Sequence, residues 1–220
     1  MGKEKVVPSD RGVFLATSWR MPPALTSVVS DLFYQGELQS CISKSENKIL
    51  WEGLQQGLFF EPVQHYSNSS ESMEEIDRIE QLVNQLLGCS YQLIQQTNEG
   101  TSVIKGIISP NEILITAPYN LQVNQLEHRL SGQARIGTVD RFQGQEAPIS
   151  IHSLTASDAD NAPRGIGFVL DPDRLNVAIS RAQCLSIVVG SPKLATGITG
   201  TVEGVMQVNR LCRIMDTATK

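Results

Sequence analysis

Apolar runs and amphipathic stretches alternate along most of the chain. Short runs rich in Ile, Val, Leu and Phe are bounded by turn-forming residues, which predicts β-strands. The predicted strands are "VFLATSW" (13–19), "LFFEPVQHY" (58–66), "EILITAP" (112–118), "ARIGTV" (134–139), "PISIHSL" (148–154) and "LSIVVG" (185–190). Because near-continuous apolar strands that alternate with helices are typical of parallel sheets covered on both faces, the pattern predicts an α/β fold.

Between the strands, apolar residues recur at the spacing of amphipathic helices. The predicted helices are at 22–32, 72–87, 120–130, 171–182 and 201–215. Ser72 and Glu75 form a capping box at the start of the second helix, and Gly88 closes it. Its many acidic residues predict a solvated face: Glu71, Glu74, Glu75, Asp77 and Glu80.

Two stretches follow neither pattern. Residues 41–57 look irregular, and residues 90–110 are polar and rich in Gln, which predicts an excursion over the surface. At 220 residues the chain can bury one full core. We therefore divide it into a polar tail or linker at 1–12, one α/β domain at 13–200 and a C-terminal helix at 201–220, which packs on the domain or trails it.

The helix at 171–182 carries two arginines at the border of its buried face. Asp171 can cap the helix, and Arg174 and Arg181 lie seven residues apart, so they share one stripe. An arginine in that position is either tied to a carboxylate or free to bind an anion. Arg181 is the stronger candidate for an anion ligand, because Arg174 could pair with Asp171 or Glu146.

Composition and charge narrow the class of protein. The net charge of −5 argues against a protein that coats duplex DNA, although it allows a local binding groove. No apolar run approaches a membrane span, and no signal peptide is evident, so no membrane partner is expected. The four cysteines form no C-x-x-C pair and the three histidines are scattered, which argues against a metal site and is typical of a cytoplasmic protein with reduced thiols.

Several sequence motifs of nucleotide and acyl chemistry are absent. The chain contains no G-x-x-x-x-G-K-S/T P-loop and no G-x-S-x-G, and the glycines at 165–167 do not extend to G-x-G-x-x-G. The remaining polar segments, at 18–20, 116–120 and 137–146, adjoin predicted strands. Because ligands gather at the carboxyl ends of parallel strands, we expect all three, and the helix at 171–182, to meet at that edge.

Taken singly, the residues in these segments also admit structural roles. Gly144 could be an ordinary loop glycine, and Thr138 could cap a turn. Glu146 could be a solvated carboxylate or a partner for an arginine, and Trp19 could belong to the core.

Taken together, four segments carry a family resemblance. In order, "SWRMPPALTSVVSDLFYQGEL", "ILITAPYNLQVNQL", "GTVDRFQGQE" and "DPDRLNVAISRA" resemble the second RecA-like domain of superfamily 1 helicases of the up-frameshift type, class 1B. The similarity runs from about residue 13 to 191. It implies a RecA-like three-layer fold with a mainly parallel, doubly covered sheet. The chain has Pro22 where the family has histidine.

The resemblance implies a shared nucleotide site. In such motors ATP with Mg²⁺ lies between two RecA-like domains, and the first domain supplies the P-loop and the magnesium carboxylates. Arg181 matches the arginine finger and Arg20 the second arginine at the γ-phosphate. Trp19 matches the aromatic residue at the adenine, Gly144 the backbone that approaches the nucleotide, and Glu146 the carboxylate at the ribose.

The resemblance also implies nucleic-acid contacts and partners. Pro118, Tyr119, Asn120 and Thr138 match residues that hold the backbone of single-stranded DNA or RNA. The expected partner is the first RecA-like domain of the same protein. The tail "VMQVNRLCRIMD" resembles the ending of bacterial members, some of which carry a RecB-like nuclease domain upstream. Without the first domain, the chain is expected to be inactive as an ATPase.

Two other functions fit parts of the sequence. A non-catalytic module could keep this fold and bind nucleic acid or a partner protein; the full gene would then encode no P-loop domain before residue 1. An unrelated α/β enzyme acting on a small phosphorylated substrate would instead contain a complete pocket of its own.

Overall fold

A computed structural model describes residues 12–51, 54–97, 100–197 and 200–217. In chain order, the strands are β1 (Thr17–Ser18), β2 (Gln39–Ser40), β3 (Lys48–Leu50), β4 (Gly57–Pro62), β5 (Ser90–Thr97), β6 (Gly100–Ile107), β7 (Ile113–Thr116), β8 (Arg135–Gly137), β9 (Ala147–Ser153) and β10 (Ala182–Gly190). The α-helices are α1 (Pro23–Phe33), α2 (Met73–Leu86), α3 (Asn120–Leu130), α4 (Ile166–Val169), α5 (Pro172–Ser180) and α6 (Val202–Thr217). Within the described ranges, no helix is long and apolar enough to cross a membrane.

The core is built on a five-stranded sheet in the order β4–β10–β9–β7–β8, and every neighbouring pair is parallel. One row of apolar side chains crosses all five strands in register: Phe59, Ile187, Ile151, Ile115 and Ile136. The four isoleucines of this row are buried. The continuous apolar strands therefore form the parallel sheet that the sequence predicts.

Helices cover both faces of this sheet. Helices α2 and α3 pack on the face with the isoleucine row, through residues such as Ile79 and Leu126. Helices α1, α5 and α6 pack on the opposite face, where Leu25, Ile179 and Leu211 belong to one buried cluster. The prediction of a RecA-like three-layer α/β fold is confirmed.

A second, smaller sheet occupies the two stretches that looked irregular. Strand β3 pairs antiparallel with β5, and β5 pairs antiparallel with β6 over eight residues. Residues 41–57 are therefore not irregular throughout, since they contain β3, and the predicted surface excursion at 90–110 is an ordered hairpin. The hairpin does lie at the surface, because nearly every side chain of β6 is exposed, and this exposure explains why no apolar alternation marks the strand.

The N-terminal prediction also needs correction. Only Thr17 and Ser18 of the predicted strand 13–19 form sheet pairs, with Gln39 and Ser40. Val13 and Leu15 are exposed, whereas Phe14 contacts the Tyr34 ring, with 6.0 Å between the ring centroids. The predicted tail lies almost wholly outside the described residues, whereas the predicted C-terminal helix is present as α6.

The predicted capping box at α2 is half correct. The Ser72 hydroxyl accepts from the Glu75 backbone N–H at 3.3 Å, but the Glu75 carboxylate points into the protein. It accepts from the Ser153 hydroxyl at 2.5 Å and from the Thr155 backbone N–H at 3.0 Å, and it lies 2.9 Å from His65 Nε2. Glu75 is thus fully buried instead of solvated, because these donors replace water around its charge.

A second buried polar pair lies in the centre of the sheet. His152 on β9 meets the Thr116 hydroxyl on β7, with 2.8 Å between Nδ1 and Oγ1. Burial lowers the pKa of His152 to about 4 from its ordinary 6.5. The imidazole is therefore neutral in the folded protein at pH values where the unfolded chain would be protonated.

This difference predicts an acid-sensitive fold. Between about pH 6.5 and 4 the unfolded state binds more protons than the folded state. As the pH is lowered through this range, His152 should therefore decrease the free energy of unfolding by up to ~3 kcal/mol. Denaturant unfolding from about pH 7 to 4.5 measures the effect. His152→Leu should flatten the slope, whereas the matched change at the exposed His128 should not. Equal slopes for wild type and His152→Leu would contradict the assignment.

Candidate functional site

Arg20 and Glu146 form the centre of a polar cluster beside the sheet. Arg20 Nε donates to Glu146 Oε2 at 2.6 Å, and Arg20 Nη1 donates to the Ser180 carbonyl at 3.0 Å. The other carboxylate oxygen of Glu146 accepts from the Gln183 side chain at 2.8 Å. The side chains remain 29% and 45% exposed, so solvent or a ligand reaches both.

Arg181 lies beside this ion pair at the C-terminal end of α5. Its Nη1 donates to the Gln145 carbonyl at 3.3 Å, while its buried Nε has no hydrogen-bond partner among the described residues. Burial lowers the pKa of Arg181, and the neighbouring charge of Arg20 lowers it further. A guanidinium stays charged in proteins, so these shifts mean that Arg181 is under-compensated and that an anion beside it would be favourable.

Three residues that sequence reasoning missed hold the cluster in place. The buried Asn47 donates to the carbonyls of Arg20 at 3.3 Å and Gln183 at 3.0 Å. Arg135 donates to the Glu146 carbonyl at 3.0 Å. None of the three positions could be predicted from the sequence. Asn47 falls in a stretch without apolar periodicity, Arg135 opens a short strand, and Gln183 follows the last family motif.

Trp19 and Gly144 adjoin the cluster along the chain. Trp19 is 57% exposed, so it is not the core residue that one interpretation allowed. Gly144 has φ +83°, a conformation that favours glycine, and nothing lies within 4 Å of the position where a Cβ would stand. The glycine therefore shapes the turn before Gln145 and leaves its own surface open.

The cluster of Arg20, Arg181 and Glu146 does not lie at the carboxyl edge of the parallel sheet, where the sequence analysis placed it. Glu146 immediately precedes β9, and Arg181 immediately precedes β10. The cluster of Arg20, Arg181 and Glu146 therefore lies at the amino ends of these strands, not at the carboxyl ends. The segment 137–146 misled the prediction because it begins after one strand and ends before the next.

The other four candidate residues meet at the carboxyl edge. Pro118, Tyr119 and Asn120 follow β7, Thr138 follows β8, and all four line one groove of about 410 Å³. The Thr138 side chain makes no capping hydrogen bond, although it stands at the cap position of the turn that follows. Asn120 is exposed and Tyr119 is buried, and this burial raises the pKa of the Tyr119 hydroxyl.

The same groove contains Arg164, Phe168 and Arg174. The Arg164 guanidinium lies over the Phe168 ring at 3.8 Å from its centroid, and that of Arg174 lies at 4.2 Å. Arg174 does not form the ion pair with Asp171 or Glu146 that we considered; only its backbone N–H bonds the Asp171 carboxylate, at 2.9 Å. Arg164 and Phe168 lie between the predicted strand at 148–154 and the predicted helix at 171–182, and neither belongs to a motif, so the sequence carried no signal for them.

Metal-binding residues do not cluster in the part of the chain that the structure describes. No group of three or more His, Cys, Asp or Glu side chains there could hold a metal ion. The functional groups of the two candidate sites are arginines, hydroxyl and amide groups, aromatic rings and the carboxylates of Glu146 and Asp140.

Comparison with known proteins identifies the family. Residues 3–193 match the family described as the AAA domain. The chain is 31% identical over 203 residues to "Regulator of nonsense transcripts 1 homolog" of Drosophila melanogaster, covering 86% of this chain and 16% of that protein. It is 29% identical over 201 residues to the protein of that name in Arabidopsis thaliana, covering 82% and 14%.

A third relative is "ATP-dependent helicase upf1" of Schizosaccharomyces pombe, at 30% identity over 199 residues, covering 82% of this chain and 20% of that protein. The chain spans a fifth or less of the length of these three relatives. The family match covers most of the chain and agrees with the three-layer fold. The chain therefore belongs to the AAA-domain family and is a helicase domain of superfamily 1, of the up-frameshift type.

Proposed function

We propose that this chain is the second motor half of an ATP-dependent helicase or translocase that acts on single-stranded DNA or RNA. The observation that carries the proposal is the convergence of Arg20 and Arg181 on the Gln145–Glu146 segment. Arg20 bonds the Glu146 carboxylate and Arg181 bonds the Gln145 carbonyl, while the buried Nε of Arg181 lacks a partner among the described residues. Such a site is suited to bind an anion, and in this family we propose that the anion is the triphosphate of a nucleoside triphosphate.

Arg181 is proposed as the arginine finger. ATP with Mg²⁺ supplies the phosphoryl group that is transferred to water. Arg181 is fixed at the end of a helix, so its guanidinium is preorganised to donate hydrogen bonds to the phosphoryl oxygens as negative charge spreads over them. A finger of this kind contributes ~10³-fold or more to the rate.

Arg20 and Glu146 are proposed to act as a unit. Glu146 and the Ser180 carbonyl hold Arg20 through Nε and Nη1, which leaves Nη2 to donate to the terminal phosphate. A carboxylate accepts about four hydrogen bonds, and Glu146 uses two of these positions for Arg20 and Gln183. The remaining capacity allows Glu146 to accept from a ribose hydroxyl while it still orients Arg20.

Trp19 and Gly144 are proposed to complete the nucleotide contacts. The exposed indole of Trp19 offers a flat apolar surface to the adenine. The open space beside Gly144 allows the backbone to approach the nucleotide. The P-loop and the magnesium ligands are assigned to the first RecA-like domain, so the present chain alone should bind nucleotide weakly.

The groove at the carboxyl edge is proposed to hold the nucleic acid. Asn120 and Thr138 present amide and hydroxyl donors there, and Pro118 and Tyr119 form an apolar wall. These groups suit contacts to the sugar–phosphate backbone of a single strand and would read no base edges. Donors of this kind also allow a chain with net charge −5 to bind a polyanion locally.

The half-motor proposal predicts the ATPase behaviour of two samples. The present chain alone should hydrolyse ATP at background, with or without single-stranded nucleic acid. In the longer protein that includes the first RecA-like domain, Arg181→Ala should lower kcat by ~10³-fold while KM for ATP changes little. A phosphate-release assay on the isolated chain and on the longer protein measures these rates, with Arg213→Ala on α6 as the control variant. Robust ATPase by the isolated chain that disappears in Arg181→Ala would contradict the proposal.

The groove proposal predicts a separable effect of Thr138. In the longer protein, Thr138→Ala should weaken single-strand binding about 5-fold, as expected for one lost hydrogen bond, and leave ATP affinity nearly unchanged. Because a hydroxyl releases no counterion, the salt dependence of binding should keep its slope. Fluorescence anisotropy at two salt concentrations tests this, with ATP affinity measured in parallel. Unchanged strand binding, or an equal loss of ATP affinity, would return Thr138 to a structural role.

A further inference from the structure

Two arginines of the groove differ from every other arginine that the structure describes. The guanidinium groups of Arg164 and Arg174 form neither an ion pair nor a hydrogen bond with a described residue. The other described arginines each donate at least one hydrogen bond from the side chain: Arg20, Arg78, Arg129, Arg135, Arg141, Arg181, Arg210 and Arg213. Among the described arginines, guanidinium groups without an ion pair or hydrogen bond therefore occur in this groove.

Their shared position on one ring brings two like charges together. Both guanidinium groups lie within about 4 Å of the Phe168 centroid, and the Tyr119 ring lies 5.4 Å from Phe168. Each arginine gains a cation–π contact from the ring, but the two cations repel each other. The two groups are at most about 8 Å apart, and an anion that contacts both would relieve this repulsion.

The groove around the pair is suited to a polyanion. Asp140 is the one carboxylate among its lining residues, so the two arginines leave the groove with a positive balance. Arg164 is exposed and Arg174 is partly buried, so both can turn from the ring toward a ligand. A charge-assisted hydrogen bond to phosphate is stronger than an exposed cation–π contact, which favours that movement when phosphate is present.

We propose that Arg164 and Arg174 bind phosphates of a single-stranded nucleic acid in this groove, and that Phe168 sets the spacing of their guanidinium groups. The proposal rests on the proposed function of the groove and adds its charged ligands. Arg164 reaches the groove from the loop before α4 and Arg174 from the first turn of α5. The strand would thus be held by the charges of Arg164 and Arg174 in addition to the amide and hydroxyl groups of Asn120 and Thr138.

The test is a binding titration of the longer protein with labelled oligothymidylate and oligouridylate. Arg164→Gln and Arg174→Gln should each weaken binding by about 3- to 10-fold at low salt and reduce the slope of log K against log salt by about 0.7, the value for one phosphate contact to a single strand. Arg213→Gln removes an equal charge outside the groove and should change neither quantity. Arg164→Lys and Arg174→Lys keep the charge and should retain the salt slope, and Arg164→Ala or Arg174→Ala replaces any glutamine variant that fails to fold.

The outcomes separate this inference from the proposed function. If Thr138→Ala weakens binding but both arginine variants behave like Arg213→Gln, the inference is overturned and the groove proposal stands. If the arginine variants lower affinity and slope while Thr138→Ala has no effect, the inference stands and the role of Thr138 is overturned. If no substitution in the groove changes binding, both are overturned.

Discussion

A parallel sheet requires each connection between its strands to carry the chain from the carboxyl edge back to the amino edge. Two such connections carry residues of both candidate sites. One runs from Thr138 to Glu146 between β8 and β9, and the other ends with α5, which leads from Arg174 to Arg181 and into β10. On each connection a residue of the groove, Thr138 or Arg174, therefore precedes a residue of the arginine cluster, Glu146 or Arg181. The separation of the two sites on opposite edges follows from this topology rather than from any single contact.

The two edges differ in how their buried charge is balanced. Near the carboxyl edge, the carboxylate of Glu75 is buried with His65, Ser153 and Thr155 around it. This network joins α2 to the ends of β4 and β9, and its burial gives it a structural role. At the amino edge, the guanidinium groups of Arg20, Arg135 and Arg181 converge on Gln145 and Glu146, which contribute one carboxylate. An anion beside these guanidinium groups would gain charge-assisted hydrogen bonds, which supports the proposed nucleotide site.

Periodicity predicted the central strands and the long helices because each buries one continuous apolar face. It failed for the β5–β6 hairpin, whose second strand is exposed, and for Glu75, whose burial shows only in its register with Ile76 and Ile79. Arg20 lies 126 residues from its partner Glu146, so only the order of the family motifs connected them before the structure. The contribution of Asn47 and the packing of Phe168 on Tyr119 arise from tertiary contacts, which leave no pattern in the local sequence.

In the proposed motor, the amino-edge cluster faces the nucleotide while the carboxyl-edge groove faces the strand. The most direct measurement is a structure of the longer protein with ADP, aluminium fluoride and a short single strand. We expect the Arg181 guanidinium at hydrogen-bonding distance, about 3 Å, from the fluoride group, with Arg20 beside it and the strand against Thr138 at the opposite edge. A nucleotide seated in the groove at the carboxyl edge, or an Arg181 that stays on the Gln145 carbonyl away from the nucleotide, would contradict the account.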